Sequence, residues 1–177
     1  MSANPVPALD IQKAVHDAAF LRGTIITSYA QVEFLLGDIW PCCQSRPEYR
    51  DHVRQTFPYR LEDRLKTVKT LMTLPGPLTT HAPEMSSLID EILLYEDIRH
   101  FMAHALVRIS READEGFMIE YRLHSTSKEG LRTGFLETTH LQLRDTAEQV
   151  IRYANSMLTL CKRMYLEVGL EPPPFAD

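Results

Sequence analysis

Asp97-Ile98-Arg99-His100-Phe101-Met102-Ala103-His104-Ala105-Leu106-Val107 is the stretch on which the reading of this chain turns. Placed on an ideal helix at ~100° per residue, Leu88, Ile92, Tyr95 and Leu106 form one apolar stripe. Leu94, Ile98, Phe101 and Ala105 form a second. Together they cover more than half the circumference, so the pattern predicts a central helix packed on two sides, from near Pro83 to about Arg108. Glu96, Asp97, His100 and His104 share the narrow polar remainder. Arg99 falls among the apolar positions, near Ile92 and Leu106. A guanidinium there must either pair with a carboxylate or reach an anionic ligand, because an unpaired buried charge is strongly disfavoured.

Upstream of this helix, apolar residues recur at spacings of three and four from about Asp10 to Trp40, with Asp10 as N-cap and Pro41 as the stop. Gly23 inside that run predicts a local kink or a close helix contact. Ser45 and Pro47 mark a short helix, interrupted by Phe57-Pro58. A second long helix covers about Arg60 to Leu74 and ends at Pro75-Gly76-Pro77. Downstream, Ala113 to Gly116 reads as a turn, and Phe117 to Leu123 alternates as a strand does. Ser125 to Gly134 is a polar loop, and Phe135 to Leu141 is a short returning strand. The last helix, about Leu143 to Val168, turns Leu143, Ala147, Val150, Ile151, Ala154, Leu158, Cys161 and Tyr165 inward. Gly169 and Pro172 to Pro174 stop it. The expectation is an all-α fold, a four-to-five-helix up-and-down bundle with a small β-hairpin inserted before the last helix. It forms a single domain over residues 1–177, with flexible ends at 1–8 and 170–177.

Composition narrows the function. The 177 residues are 44% apolar and 24% charged, ordinary globular usage that argues against wholesale disorder. A formal charge of −5 disfavours a generally basic nucleic-acid coat but permits a local basic cleft. Cys42 and Cys43 are adjacent and Cys161 is remote, which suits neither a disulfide framework nor a zinc ribbon. Met1 to Pro7 lacks a basic-then-apolar leader, and no apolar run is long enough to span a bilayer. A reduced, cytoplasmic protein without membrane attachment is expected.

Arg99-His100-Phe101-Met102-Ala103-His104 resembles the signature of the HEPN family: an arginine, a polar residue, and a histidine after four to six intervening residues. The placement is similar too, late in a third helix and after a first helix carrying Val32-Glu33-Phe34-Leu35-Leu36. Broad similarity extends over about Asp10 to Val168, with Arg99 to His104 as its motif. The resemblance implies metal-independent cleavage of RNA, by attack of a ribose 2′-hydroxyl on the neighbouring phosphate, with no cofactor. Such a step suits a histidine as proton carrier and an arginine fork on the phosphorane oxygens. By resemblance His104 is the acid/base, Arg99 the phosphate clamp, and His100 orients the phosphate or shares the proton. It also implies a homodimer whose two motifs face one another, a role as toxin, defence or stress effector, and an antitoxin or nucleotidyltransferase as partner protein. Other readings stand beside it. His100 and His104 also suit a solvated face, and Arg99 a buried ion pair. Glu96, His100 and His104 form a stripe that could face a metal. The whole domain could be a non-catalytic module binding a nucleotide or a protein. Arg60, Arg64, Lys66 and Lys69 on the second helix, and Lys128 and Arg132 in the hairpin, either flank an RNA path or are simply solvated.

Overall fold

A computed structural model describes residues 8–53, 56–112, 116–127 and 130–170. Among the described residues, six α-helices and three strands follow one another. They are α1 (Ala8–Gln44), α2 (Pro47–Arg50), α3 (Leu61–Thr73), α4 (Ala82–Ile92), α5 (Glu96–His104), β1 (Leu106–Glu112), β2 (Gly116–Ser127), β3 (Gly130–Thr139) and α6 (His140–Val168). The chain divides into two compact units, Met1–Ser28 with Tyr95–Ile151, and Tyr29–Leu94 with Arg152–Asp177. Helices α1 and α6 each contribute residues to both.

In the first unit the strands form one antiparallel sheet in the order β1-β2-β3. Val107 faces Tyr121 and Ile109 faces Ile119, while Ile119 and Tyr121 of β2 face Thr138 and Leu136 of β3. One sheet face is apolar. Buried Ile119 and Tyr121 join Ala18, Leu21 and Ile25 of α1, Met102 of α5, Ala105, and Leu143, Ala147 and Val150 of α6 in a single core. The opposite face carries exposed Leu106, Arg108 and Ser110 of β1.

This sheet overturns the all-α expectation. The anticipated hairpin has a third strand, β1, formed by residues assigned above to the end of a long helix. Val107 and Ile109 are β-branched and alternate with Arg108 and Ser110. That period of two prevails over the helical spacing that had included Leu106. Helix α5 therefore stops at His104. Ala105 makes the last helical bond, its N–H to the Phe101 carbonyl at 3.0 Å, and then takes an extended backbone at φ −80° and ψ 147°. Nor is the third helix continuous from Pro83, since a 3-10 turn at Leu93–Tyr95 separates α4 from α5. The returning strands run further than expected, paired from Ser127 opposite Gly130 to Met118 opposite Thr139.

β3 ends at Thr139, so His140 and Leu141 open α6 rather than finish a strand. Sequence spacing explains the junction. Thr139 Oγ1 accepts the Gln142 N–H at 3.2 Å, and Gln142 Oε1 accepts the Thr139 N–H at 2.9 Å. This reciprocal pair is a capping box, and it satisfies two donors that a helix start leaves open.

Among its described residues the second unit holds helices and no strand. Its core takes Tyr29, Val32, Leu36 and Ile39 from α1, Leu65, Val68 and Leu71 from α3, Met85, Ile89 and Ile92 from α4, and Met157, Leu160 and Met164 from α6. Tyrosine hydroxyls serve buried backbone: Tyr49 accepts the Leu78 N–H at 3.0 Å and Tyr153 donates to the Leu88 carbonyl at 2.8 Å. Gly76 is required where the chain leaves α3, because its φ is +156° and a Cβ there would strike the Tyr49 hydroxyl.

Three local expectations change. Pro41 lies inside α1 rather than ending it. The bond it forfeits is offset by full burial of Cys42 and Cys43 in the following turn. Gly23 has open space around it, so no close contact explains it. On α6, Ile151 is exposed and Leu158 half-buried, while Tyr153 and Leu160 take the inward positions. Residues 1–7, 113–115 and 171–177, which include most of the anticipated flexible ends and of the anticipated turn, lie outside the described residues, while Ala8 opens α1 and Leu170 is buried. Among the described residues no helix is long and apolar enough to cross a membrane.

Cys42, Cys43 and Cys161 are buried free thiols. Burial, with the Asp38 carboxylate adding to it, pushes Cys42 up to about 11 from its ordinary 9.0. Burial and the neighbouring Cys42 push Cys43 up to about 12, and burial with Asp38 does the same for Cys161. Unfolded thiols ionise from about pH 9, whereas native ones hold their protons to about 11–12, so over that window the unfolded chain releases more protons and stability falls as pH rises. The urea midpoint should therefore drop steadily above about pH 9, and less steeply in Cys161→Val. At neutral pH, Thr139→Ala should cost about 1 kcal/mol, read from the same urea curves.

Candidate functional site

Helix α5 has an orientation written into its ends. Glu96 and Asp97 occupy its first turn and His104 its last, which suits the positive and negative poles of the helix dipole. Met102 is its fully buried anchor. Two contacts fix it within the first unit. Arg22 of α1 donates its Nε hydrogen to the Met102 carbonyl, one of the acceptors a helix C-terminus leaves open. The Phe101 ring lies so close to Gly134 of β3 that a Cβ there would come within 3.2 Å of it.

With α5 so held, His100 and His104 are exposed and stand one turn apart. Their rings meet edge to face, with centroids 5.1 Å apart and planes at 62°. Arg99 occupies a different part of the helix surface. It is half-buried, its Nε is withdrawn from solvent, and its side chain is engaged by its surroundings. The structure therefore brings the two histidines together at the surface and sets Arg99 partly inside, in the same nine-residue helix.

Beyond His104 the chain leads directly to further cations. Leu106, two residues on, pairs with Arg122 of β2, and Arg108 pairs with Glu120. Arg122 Nη2 lies 3.3 Å from Glu120 Oε1, and its guanidinium sits 5.3 Å from the centroid of the Phe135 ring. Leu106, Val107, Arg108, Glu120 and Arg122 line a shallow cleft of about 340 Å³. Sequence reasoning missed this pair of arginines. Arg108 was assigned to a helix end, and Arg122 acquires a place only once β1 is recognised. The alternation of Val107 and Ile109 was the available signal.

The other candidates resolve differently. Arg64 of α3 donates to the Glu33 carbonyl and the Pro58 carbonyl, both at 2.9 Å, and covers the Phe57 ring. It is a structural arginine. Lys69 pairs with Asp90 at 2.8 Å, while Arg60, Lys66 and Arg132 are exposed. Lys128 lies outside the described residues. Glu96, His100 and His104 do not converge, for among the described residues no group of three His, Cys, Asp or Glu side chains is placed to hold a metal. His16 and His140, to which the sequence assigned no role, approach Asp17 at 3.6 and 3.9 Å.

Comparison with protein-family models, curated proteins and solved structures finds no match to this chain. The residues themselves therefore carry the functional argument.

Proposed function

We propose that Arg99, His100 and His104 form half of a metal-independent endoribonuclease site, completed by a second copy of the chain. The observation that carries this reading is the exposed, edge-to-face pair of imidazoles at the end of α5. Cleavage by an internal 2′-hydroxyl needs one proton removed and one delivered near neutral pH. Two imidazoles a helical turn apart suit both tasks. Charge on the phosphate is met by guanidinium groups. In this reading Arg99 supplies one such group from the same helix, and Arg108 and Arg122 flank the cleft that opens two residues past His104. Those two arginines also reconcile a net charge of −5 with an RNA substrate, because the cations needed are local.

A homodimer follows from the economy of the site. One chain offers one His100–His104 pair on an open surface, and a facing copy would enclose the phosphodiester between two such pairs. Leu106, 71% exposed beside the motif, supplies apolar area for that contact. The thiols, held protonated by burial, suit a reduced cytoplasmic setting. The HEPN resemblance of the Arg99-to-His104 motif agrees in residue roles with this chemistry. It is a resemblance of motif, not of an all-helical bundle.

Incubation of the purified protein with structured and unstructured RNA in EDTA tests the proposal. Expected products carry 2′,3′-cyclic phosphate ends. His104→Ala should lower the rate by about 10²–10⁴ and leave the melting temperature little changed, since the side chain is exposed. Arg99→Lys, which keeps the charge but loses the fork, should lower it by about 10²–10³. Intact RNA at high enzyme concentration, or cleavage unaffected by His104→Ala, would sink the nuclease reading. A nucleotide that binds without being cut would then favour the non-catalytic module.

A further inference from the structure

The apolar face of the sheet and the first half of α1 enclose a second cleft, of about 370 Å³. Its walls are aliphatic, Ile11 and Val15 from α1 with Val107 and Ile109 from β1, and two polar groups, Arg22 and Tyr121, interrupt them. Tyr121 is fully buried, and its hydroxyl has no hydrogen-bond partner among the described residues. Arg22 is half-buried. Its Nε hydrogen goes to the Met102 carbonyl, and among the described residues no ion pair engages its terminal nitrogens. Burial pushes the Tyr121 phenol up to about 12, against the opposing pull of nearby Arg22. At neutral pH the hydroxyl is therefore a neutral donor in an apolar wall.

A buried hydroxyl without an acceptor destabilises a fold, and a half-buried guanidinium without a counter-charge does so as well. Both demands are met by one group that offers two oxygens and a negative charge. A phosphate would need more donors than one hydroxyl and one guanidinium supply, and the remaining surface is aliphatic. Clefts of this size with apolar walls and a few convergent polar groups are the usual form of small-molecule sites. We infer that this cleft binds a free carboxylic acid with an apolar body, a medium-chain fatty acid being the type. Its carboxylate accepts the Tyr121 hydroxyl hydrogen and pairs with Arg22, and its chain lies between α1 and β1. Because Arg22 also holds the C-terminal turn of α5 through Met102, the bound acid would share a residue with the support of His104.

Calorimetric titration of the full chain with octanoate, paired with thermal melting and run without RNA, tests the site independently of any nuclease activity. One octanoate per chain should bind and raise the melting temperature, and octanol and octylamine should bind at least about tenfold more weakly. Tyr121→Phe is the decisive variant. Without ligand it should melt above the wild type, since it removes an unsatisfied hydroxyl, while its octanoate affinity falls about tenfold. Arg22→Gln should lose a similar factor or more. The inference is overturned by octanol binding as tightly as octanoate, by unchanged affinity in folded Tyr121→Phe, or by the absence of heat and of a melting shift at millimolar octanoate. It is equally overturned if Val15→Asp dissociates a dimer of a protein that takes up no octanoate, which would assign the cleft to a second copy of the chain.

Discussion

Helix α5 ends at His104 and the chain enters a strand two residues later, with no glycine and no loop between them. Ala105 alone makes the change, keeping one helical bond to Phe101 before extending. Much of the first unit depends on this junction. It delivers Val107 and Ile109 to the apolar sheet face, and it leaves the last carbonyls of α5 in need of donors, one of which Arg22 supplies to Met102. It also sets two imidazoles on the surface immediately before a strand whose neighbour carries Arg122. A longer helix would have carried His104 into mid-element and removed β1. The sheet would then be a lone hairpin, which is marginal in isolation.

Much of this was legible in the residues, and the misses have two separate causes. Helices α1, α3 and α6 follow from apolar spacing and from turn residues such as Pro75-Gly76-Pro77, signals local enough to read without tertiary context. The pairing of β2 with β3 followed from alternation in Phe117 to Leu123, although its length did not. What failed was arbitration between two periods over Leu106 to Ile109, where Leu106 extends a helical stripe and Val107 with Ile109 begins a strand. Short apolar runs admit both, and only pairing with Tyr121 and Ile119 decides. Pro41 failed differently. A rule about local cost was overridden by burial of Cys42 and Cys43, a tertiary gain that spacing does not reveal.

The candidate site divides along the same line. Residue types and their order within α5 were sufficient to single out Arg99, His100 and His104, and helical geometry alone places the histidines one turn apart. The helical spacing set Arg99 among apolar positions and the histidines on the polar remainder, and Arg99 is indeed half-buried and the histidines exposed. Sequence could not foresee that Arg108 and Arg122 stand on paired strands, because that depends on where the sheet sits. Arg64 shows the reverse. A basic residue that looked available for RNA is committed to two backbone carbonyls and an aromatic ring.

The junction therefore gives the candidate site its surface: a histidine pair on one side, an arginine-lined strand pair on the other. The most direct measurement of that claim is a heteronuclear NMR titration with a short RNA bearing 2′-O-methyl groups, which binds but cannot be cut. The account predicts shifts concentrated on the His100 and His104 rings and on the Arg108 and Arg122 side chains, lost as salt is raised. Shifts confined to α3, or none at saturating RNA, would contradict it.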